Sequence, residues 1–187
     1  AVERTRSRPI PSGQVTVTQA IIWMILQAGI AALILFSYNV QAIVLGFASL
    51  ALVAIYPFAK RFTWWPQAFL GLAFNWGALM IYVAHSGVLR LEAILLYAAG
   101  IIWTLFYDTI YAHQDREDDA LIGVKSTARL FADRTPTWLL AFSILSAILL
   151  GIATYWACAE RGVLSTLVEM LSVPAFWIHL RWQMGRF

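Results

Sequence analysis

Five acidic residues fall within the twelve positions from Asp108 to Asp119: Asp108, Asp115, Glu117, Asp118 and Asp119. They close a run, Leu91 to Tyr107, in which Glu92 is the one other charge. Carboxylates are costly beside hydrocarbon and are seldom kept there without a function. If a helix runs on past Tyr111, each residue turns about 100°, which sets Asp115 about −20° and Asp119 about +20° from Asp108. Asp118 then lies about 80° off this stripe, and Glu117 points to the opposite face. Asp115 and Asp119, one turn apart, are spaced to share a hard divalent cation such as Mg²⁺, which takes oxygen ligands and bridges carboxylates to phosphates. The chemistry expected is the holding of a metal-complexed anionic substrate at a membrane edge. A solvated acidic cap beside Arg116, Lys125 and Arg129 has a similar composition, but Asp108 lies inside the apolar run rather than beyond it.

A second group of candidates supplies positive charge. Tyr56 and Lys60 are four apart in Tyr56-Pro57-Phe58-Ala59-Lys60-Arg61, so a phenol and an ammonium share one helix face and can hold a phosphate oxygen. Interfacial anchors flanking a span use the same residue types. Asn75 is a polar group in the middle of an apolar run, where it either bonds a neighbouring helix or lines a cavity. His85, His113 and His179 receive no role, and His113 is about 140° from Asp108 on the helical wheel.

The elements that must carry these side chains belong to a membrane. The chain is 61% hydrophobic and 12% charged, about half the charge of a soluble domain. A single cysteine, Cys158, excludes an internal disulfide or a cysteine-cluster metal site. Six apolar runs are long enough to cross a bilayer: about Val17–Phe36, Val40–Phe58, Gln67–Ala84, Leu91–Tyr111, Trp138–Ala159 and Val163–Leu180. The predicted class is all-α, a polytopic transmembrane helical bundle. Eleven of the thirteen Lys and Arg fall in segments 1–16, 59–66, 112–137 and 181–187; only Arg90 and Arg161 lie in the other three connections. The positive-inside rule puts both termini and the acidic segment in the cytoplasm, or in the matrix of an organelle. No nucleic-acid partner is expected, and the sequence sets no oligomeric state.

The stretch Tyr107–Asp119 resembles the second aspartate-rich motif of the UbiA superfamily of intramembrane prenyltransferases. Four further blocks are similar to the branch that prenylates 4-hydroxybenzoate on the way to ubiquinone. They are Arg4-Thr5 with Arg8-Pro9-Ile10-Pro11-Ser12-Gly13, Tyr56 to Arg61, Gly71 to Trp76, and Ile122 to Ala128. The resemblance implies a nine-helix fold with a cavity open to lipid, of which the six spans here form part. It makes residues 1–187 a single domain of that type, incomplete at both ends. It also implies a first aspartate-rich motif just upstream of Ala1, so that half of the metal site lies outside the chain.

The reaction implied is Mg²⁺-dependent transfer of a polyprenyl group from its diphosphate to the ring of 4-hydroxybenzoate. Asp115 and Asp119 would hold the metal, and Lys125, Lys60 and Arg8 would add positive charge around the diphosphate, with Tyr56 and Asn75 also in contact with substrate. Asp108 would orient the metal site or accept a proton, and Arg8 would meet the aromatic carboxylate. The partners expected are the two substrates and the lipid bilayer. Other aromatic or tetrapyrrole acceptors are the nearest alternatives, and Asp115-Arg116-Glu117-Asp118-Asp119 and Gly123-Val124-Lys125-Ser126-Thr127 argue against them. A cation transporter with an acidic pathway is the alternative of a different class. It requires paired polar residues along several spans, and apart from Asn75 the span interiors offer few.

Overall fold

A computed structural model describes residues 6–159 and 162–187. Arg4, Thr5 and Arg161, which contribute to the N-terminal block and the charge count, lie outside the described residues. Among the described residues eleven α-helices follow one another: α1 (Val17–Leu35), α2 (Val40–Ile55), α3 (Ala59–Phe62), α4 (Pro66–Phe74), α5 (Trp76–Ser86), α6 (Leu91–Ala112), α7 (Arg116–Leu121), α8 (Thr127–Phe131), α9 (Thr135–Cys158), α10 (Val163–Met170) and α11 (Ser172–Met184). Taken with their near-continuous neighbours they make six rods long and apolar enough to span a membrane: Val17–Leu35, Val40–Phe62, Pro66–Ser86, Leu91–Leu121, Thr127–Cys158 and Val163–Met184. The six spans read from the sequence therefore stand, and the all-α class with them.

The pair α6 and α9 forms the centre, with α4 against α6 and α11 against α9. Small residues let these backbones approach, as expected where no hydrophobic effect drives helix association in lipid. The Ser146 hydroxyl on α9 donates to Ala99 O on α6 at 2.9 Å. Gly71 on α4 lies so near α6 that a Cβ there would sit 3.1 Å from Ile101 O. Leu105 and Phe106 of α6 pack with Phe131, Leu139, Phe142 and Leu180, and Trp65 joins them from the α3–α4 turn. Trp65 meets Phe131 edge-on at 5.3 Å, while Phe131 and Trp138 stack at 4.6 Å. Tyr107 and Ile110, on either side of Asp108 in α6, pack against this block.

Two interruptions bear on the site. The rod of α4 and α5 breaks at Asn75, whose Nδ2 donates to Gly71 O and to Thr104 Oγ1 on α6, both at 2.9 Å. Helix α6 ends at Ala112, and a 3₁₀ turn, His113–Asp115, precedes α7. The carboxylates were expected in phase along one uninterrupted α-helix, and this expectation is corrected. A 3₁₀ turn advances about 120° per residue rather than 100°, so three such residues rotate α7 by about 60° relative to Asp108.

Candidate functional site

Asp119 on α7 is the most buried of the acidic residues, with its side chain 7% exposed against 43% for that of Lys60. The Lys60 ammonium donates to both Asp119 oxygens, at 3.1 and 3.0 Å. Lys60 sits on α3, delivered there by Pro57, which turns the end of α2 into a short 3₁₀ segment over Tyr56–Phe58. The Lys60–Asp119 pair thus joins two of the six rods, Val40–Phe62 and Leu91–Leu121, which also carry Tyr56 and Asp108. Asp115 is half-buried on the turn before α7, and Glu117 and Asp118 are exposed.

The segment from Asp119 to Thr127 is held by its backbone. Val124 N–H donates to Asp119 O at 3.0 Å across a reversal in which Gly123 takes φ +75°, a left-handed conformation that suits glycine. Lys125 N–H donates to Lys60 O at 2.9 Å, and the Lys125 ammonium reaches Phe62 O at 3.3 Å. Both candidate lysines are therefore tied to one loop pair. Arg129, not singled out by the sequence, donates to Asp119 O at 3.2 Å and to Val124 O. Its guanidinium lies over the Trp64 ring at 5.5 Å, with Lys125 Nζ over the same ring at 5.9 Å. The available signal was the spacing of Arg129 from Asp119 across Gly123, which lets a long side chain fold back on the turn.

Asp108 also lines a hollow of ≈ 870 Å³ between the ends of α6 and α11, with Tyr107, Tyr111, Trp182 and Arg186 among its walls. Arg186 stands 5.1 Å over Trp182, which leaves an arginine and several rings facing one carboxylate. Arg8 is placed elsewhere. It lines a separate hollow made only of residues between Arg8 and Trp23. Asn75 does both things considered for it: its Nδ2 bonds α6, and the residue lines a cavity of ≈ 290 Å³ with Gly100, Trp103 and Ser146. His113 takes a bracing position, its Nδ1 bonded to Thr109 O at 2.8 Å and its Nε2 to Thr135 Oγ1 at 3.3 Å.

Among the described residues no three His, Cys, Asp or Glu side chains gather as a metal cage. Mg²⁺ needs none, since it is commonly held by one or two carboxylates plus substrate phosphates. Asp119 already carries a cation, the Lys60 ammonium, on both oxygens. The donor set of Asp119 and Asp115 fits that kind of metal and no softer one. Buried polar groups within the spans, such as Asn75, Thr104 and Ser146, bond neighbouring helices rather than aligning as an ion path.

The described residues thus form a bundle of membrane-length apolar rods with acidic and basic side chains paired at one end. The chain belongs to the UbiA prenyltransferase family, which residues 1–186 match. It is 51% identical over 161 residues to the mitochondrial 4-hydroxybenzoate polyprenyltransferase of Drosophila pseudoobscura pseudoobscura, covering 85% of this chain and 40% of that protein. To the protein of the same description from Mus musculus it is 47% identical over 183 residues, covering 97% of this chain and 47% of that one. The chain thus spans less than half the length of these relatives. Its fold superposes on the apo structure of a UbiA homolog from Aeropyrum pernix K1 with a TM-score of 0.70 and 28% identity, covering 98% of this chain and 70% of that one.

Proposed function

We propose that this chain carries part of the machinery that transfers a polyprenyl group from its diphosphate to the ring of 4-hydroxybenzoate. The observation that carries this reading is the pairing of Lys60 with the nearly enclosed Asp119, with Lys125 N–H bonded to Lys60 O, at one end of an apolar bundle. Identities near 50% to relatives described as 4-hydroxybenzoate polyprenyltransferases support the choice of substrates. Residues 1–187 act as one transmembrane domain, in a mitochondrial inner membrane facing the matrix or a bacterial membrane facing the cytoplasm.

Asp115 and Asp119 would hold Mg²⁺. When bound, the metal neutralises the diphosphate and makes it a better leaving group. Lys60 and Lys125 add charge-assisted hydrogen bonds to the diphosphate oxygens. The allylic carbon–oxygen bond breaks and the electron pair leaves with the diphosphate. The ring carbon ortho to the phenol then forms the new carbon–carbon bond, and its proton passes to a base, the role assigned here to Asp108. The hollow beside Asp108 receives the acceptor, where Arg186, rather than the distant Arg8, faces its carboxylate. Apolar walls exclude water from the cation.

In the full-length enzyme, Asp115→Ala and Asp119→Ala each abolish Mg²⁺-dependent transfer from a radiolabelled polyprenyl diphosphate. Near-normal turnover in either variant overturns the metal assignment.

A further inference from the structure

Gln67 is the second residue of α4 and is 2% exposed. An amide buried in a membrane-spanning bundle is costly unless it is bonded. Its Oε1 accepts the Thr127 N–H at 3.3 Å, across sixty residues of sequence. Thr127 in turn shares a hydrogen bond of 2.7 Å between its Oγ1 and that of Thr109 on α6, both residues being fully buried. Thr109 follows Asp108 directly, and Thr127 is two residues beyond Lys125.

Ser126 is the residue before α8 and has the extended backbone of an N-cap, yet its hydroxyl makes no capping bond and is buried without a hydrogen-bond partner. A serine in this position ordinarily accepts from the N–H of the second or third helical residue, here Ala128 or Arg129. The N–H of Thr127, the first helical residue, is beyond the reach of such a cap and is met from α4. That bond adds a fixed relation between three elements: α4, the Asp108 end of α6, and the loop of Lys125.

We infer that Gln67, through Thr127 and Thr109, is a positioning residue that sets the loop carrying Asp119 and Lys125 against Asp108. The inference rests on the proposed transfer reaction. Neither Gln67 nor the threonines touch substrate. They act through Lys125, whose backbone is bonded to Lys60 O, and through Asp119, whose carbonyl closes the same loop. A loop free to shift by an ångström would separate the lysines from the carboxylates. Misplacement on that scale lowers rates by about 10²-fold in well-ordered active sites.

The test uses the full-length enzyme with Gln67→Met, which keeps the shape and loses the acceptor, and with Thr109→Val and Thr109→Ser. Gln67→Met and Thr109→Val should raise KM for the prenyl diphosphate about tenfold or lower kcat to match, leaving KM for the aromatic acceptor near wild type. Thr109→Ser, which retains the hydroxyl, should recover most of the loss. Amide hydrogen exchange in residues 119–128 should quicken in the two deficient variants and not in Thr109→Ser. Unchanged kinetics and exchange overturn the inference. So does a uniform fall in both substrates' parameters in step with thermal stability, which is what a merely structural contact gives. If wild-type enzyme transfers no prenyl group to any acceptor, the transfer reading fails. Exchange in 119–128 then decides alone, and unchanged protection overturns the positioning role.

Discussion

Lys60 and Asp119 are partners with unequal shelter, and the inequality fixes the sign of what each contributes. Asp119 is almost enclosed, whereas Lys60 keeps its side chain 43% exposed. Removing a cation from an enclosed carboxylate strands an unpaired buried charge, which costs about 3 kcal/mol. Removing the carboxylate leaves a lysine that can turn toward water, at a cost of about 1 kcal/mol. Lys60→Met should therefore lower the thermal midpoint more than Asp119→Asn, measured on the same detergent-solubilised protein. On the proposed function the order of activity loss should be the reverse, because Asp119 is the proposed metal ligand and Lys60 is proposed only to assist the diphosphate. Equal midpoints would mean that the pair is solvated and contributes little. The residue types were legible in the sequence: an acid at 119 and a lysine at 60 were both marked by spacing. Their pairing was not, because it joins positions 59 residues apart and no local periodicity encodes it.

At the scale of helices, the apolar runs set the rods to within a few residues, since hydrocarbon thickness leaves little choice of length. Where polar residues interrupt the runs, tertiary contacts decide the breaks. The 3₁₀ turn at His113–Asp115 coincides with the His113 bonds to Thr109 and Thr135, and it upsets the phase of a stripe that assumed one straight helix. Asn75 breaks α4 from α5 while turning its amide to α6, a choice that composition alone leaves open. The closeness of that crossing is testable. A Cβ on Gly100 would stand 2.4 Å from Asn75 Oδ1, so Gly100→Ala must push the amide off Thr104. Overpacking of this kind costs about 1–3 kcal/mol. Adding Asn75→Ala should relieve the clash, so the double variant should be more stable than additivity of the two single changes predicts. Strict additivity in thermal unfolding would show that α4 and α6 do not meet at this pair.

Across the whole molecule, connections assigned to one membrane side by charge meet one another. Lys60 and Phe62 contact Asp119 and Lys125, and His113 packs edge-on against Phe187 at 4.8 Å, joining segments 59–66, 112–137 and 181–187. On the opposite side, Asn39 donates to Val83 O and Ala84 O, and the Tyr82 hydroxyl reaches Glu92 at 2.5 Å. Those contacts gather segments 37–39 and 85–90, which carry few basic residues. The packing and the charge count thus give the same alternation from independent causes, one steric and one set by insertion. On the proposed function, a substrate whose charged head cannot cross hydrocarbon would reach Asp119 from the basic side. Single cysteines placed as Asp118→Cys and Val88→Cys, both at exposed positions, test this in sealed vesicles. The native Cys158 is 1% exposed and bonded to Glu169, so it adds little background. A membrane-impermeant maleimide should modify position 118 only in inside-out vesicles and position 88 only in right-side-out ones. Labelling of position 118 from the outer face would invert the bundle and put the basic segments, with the proposed diphosphate site among them, on the outer side.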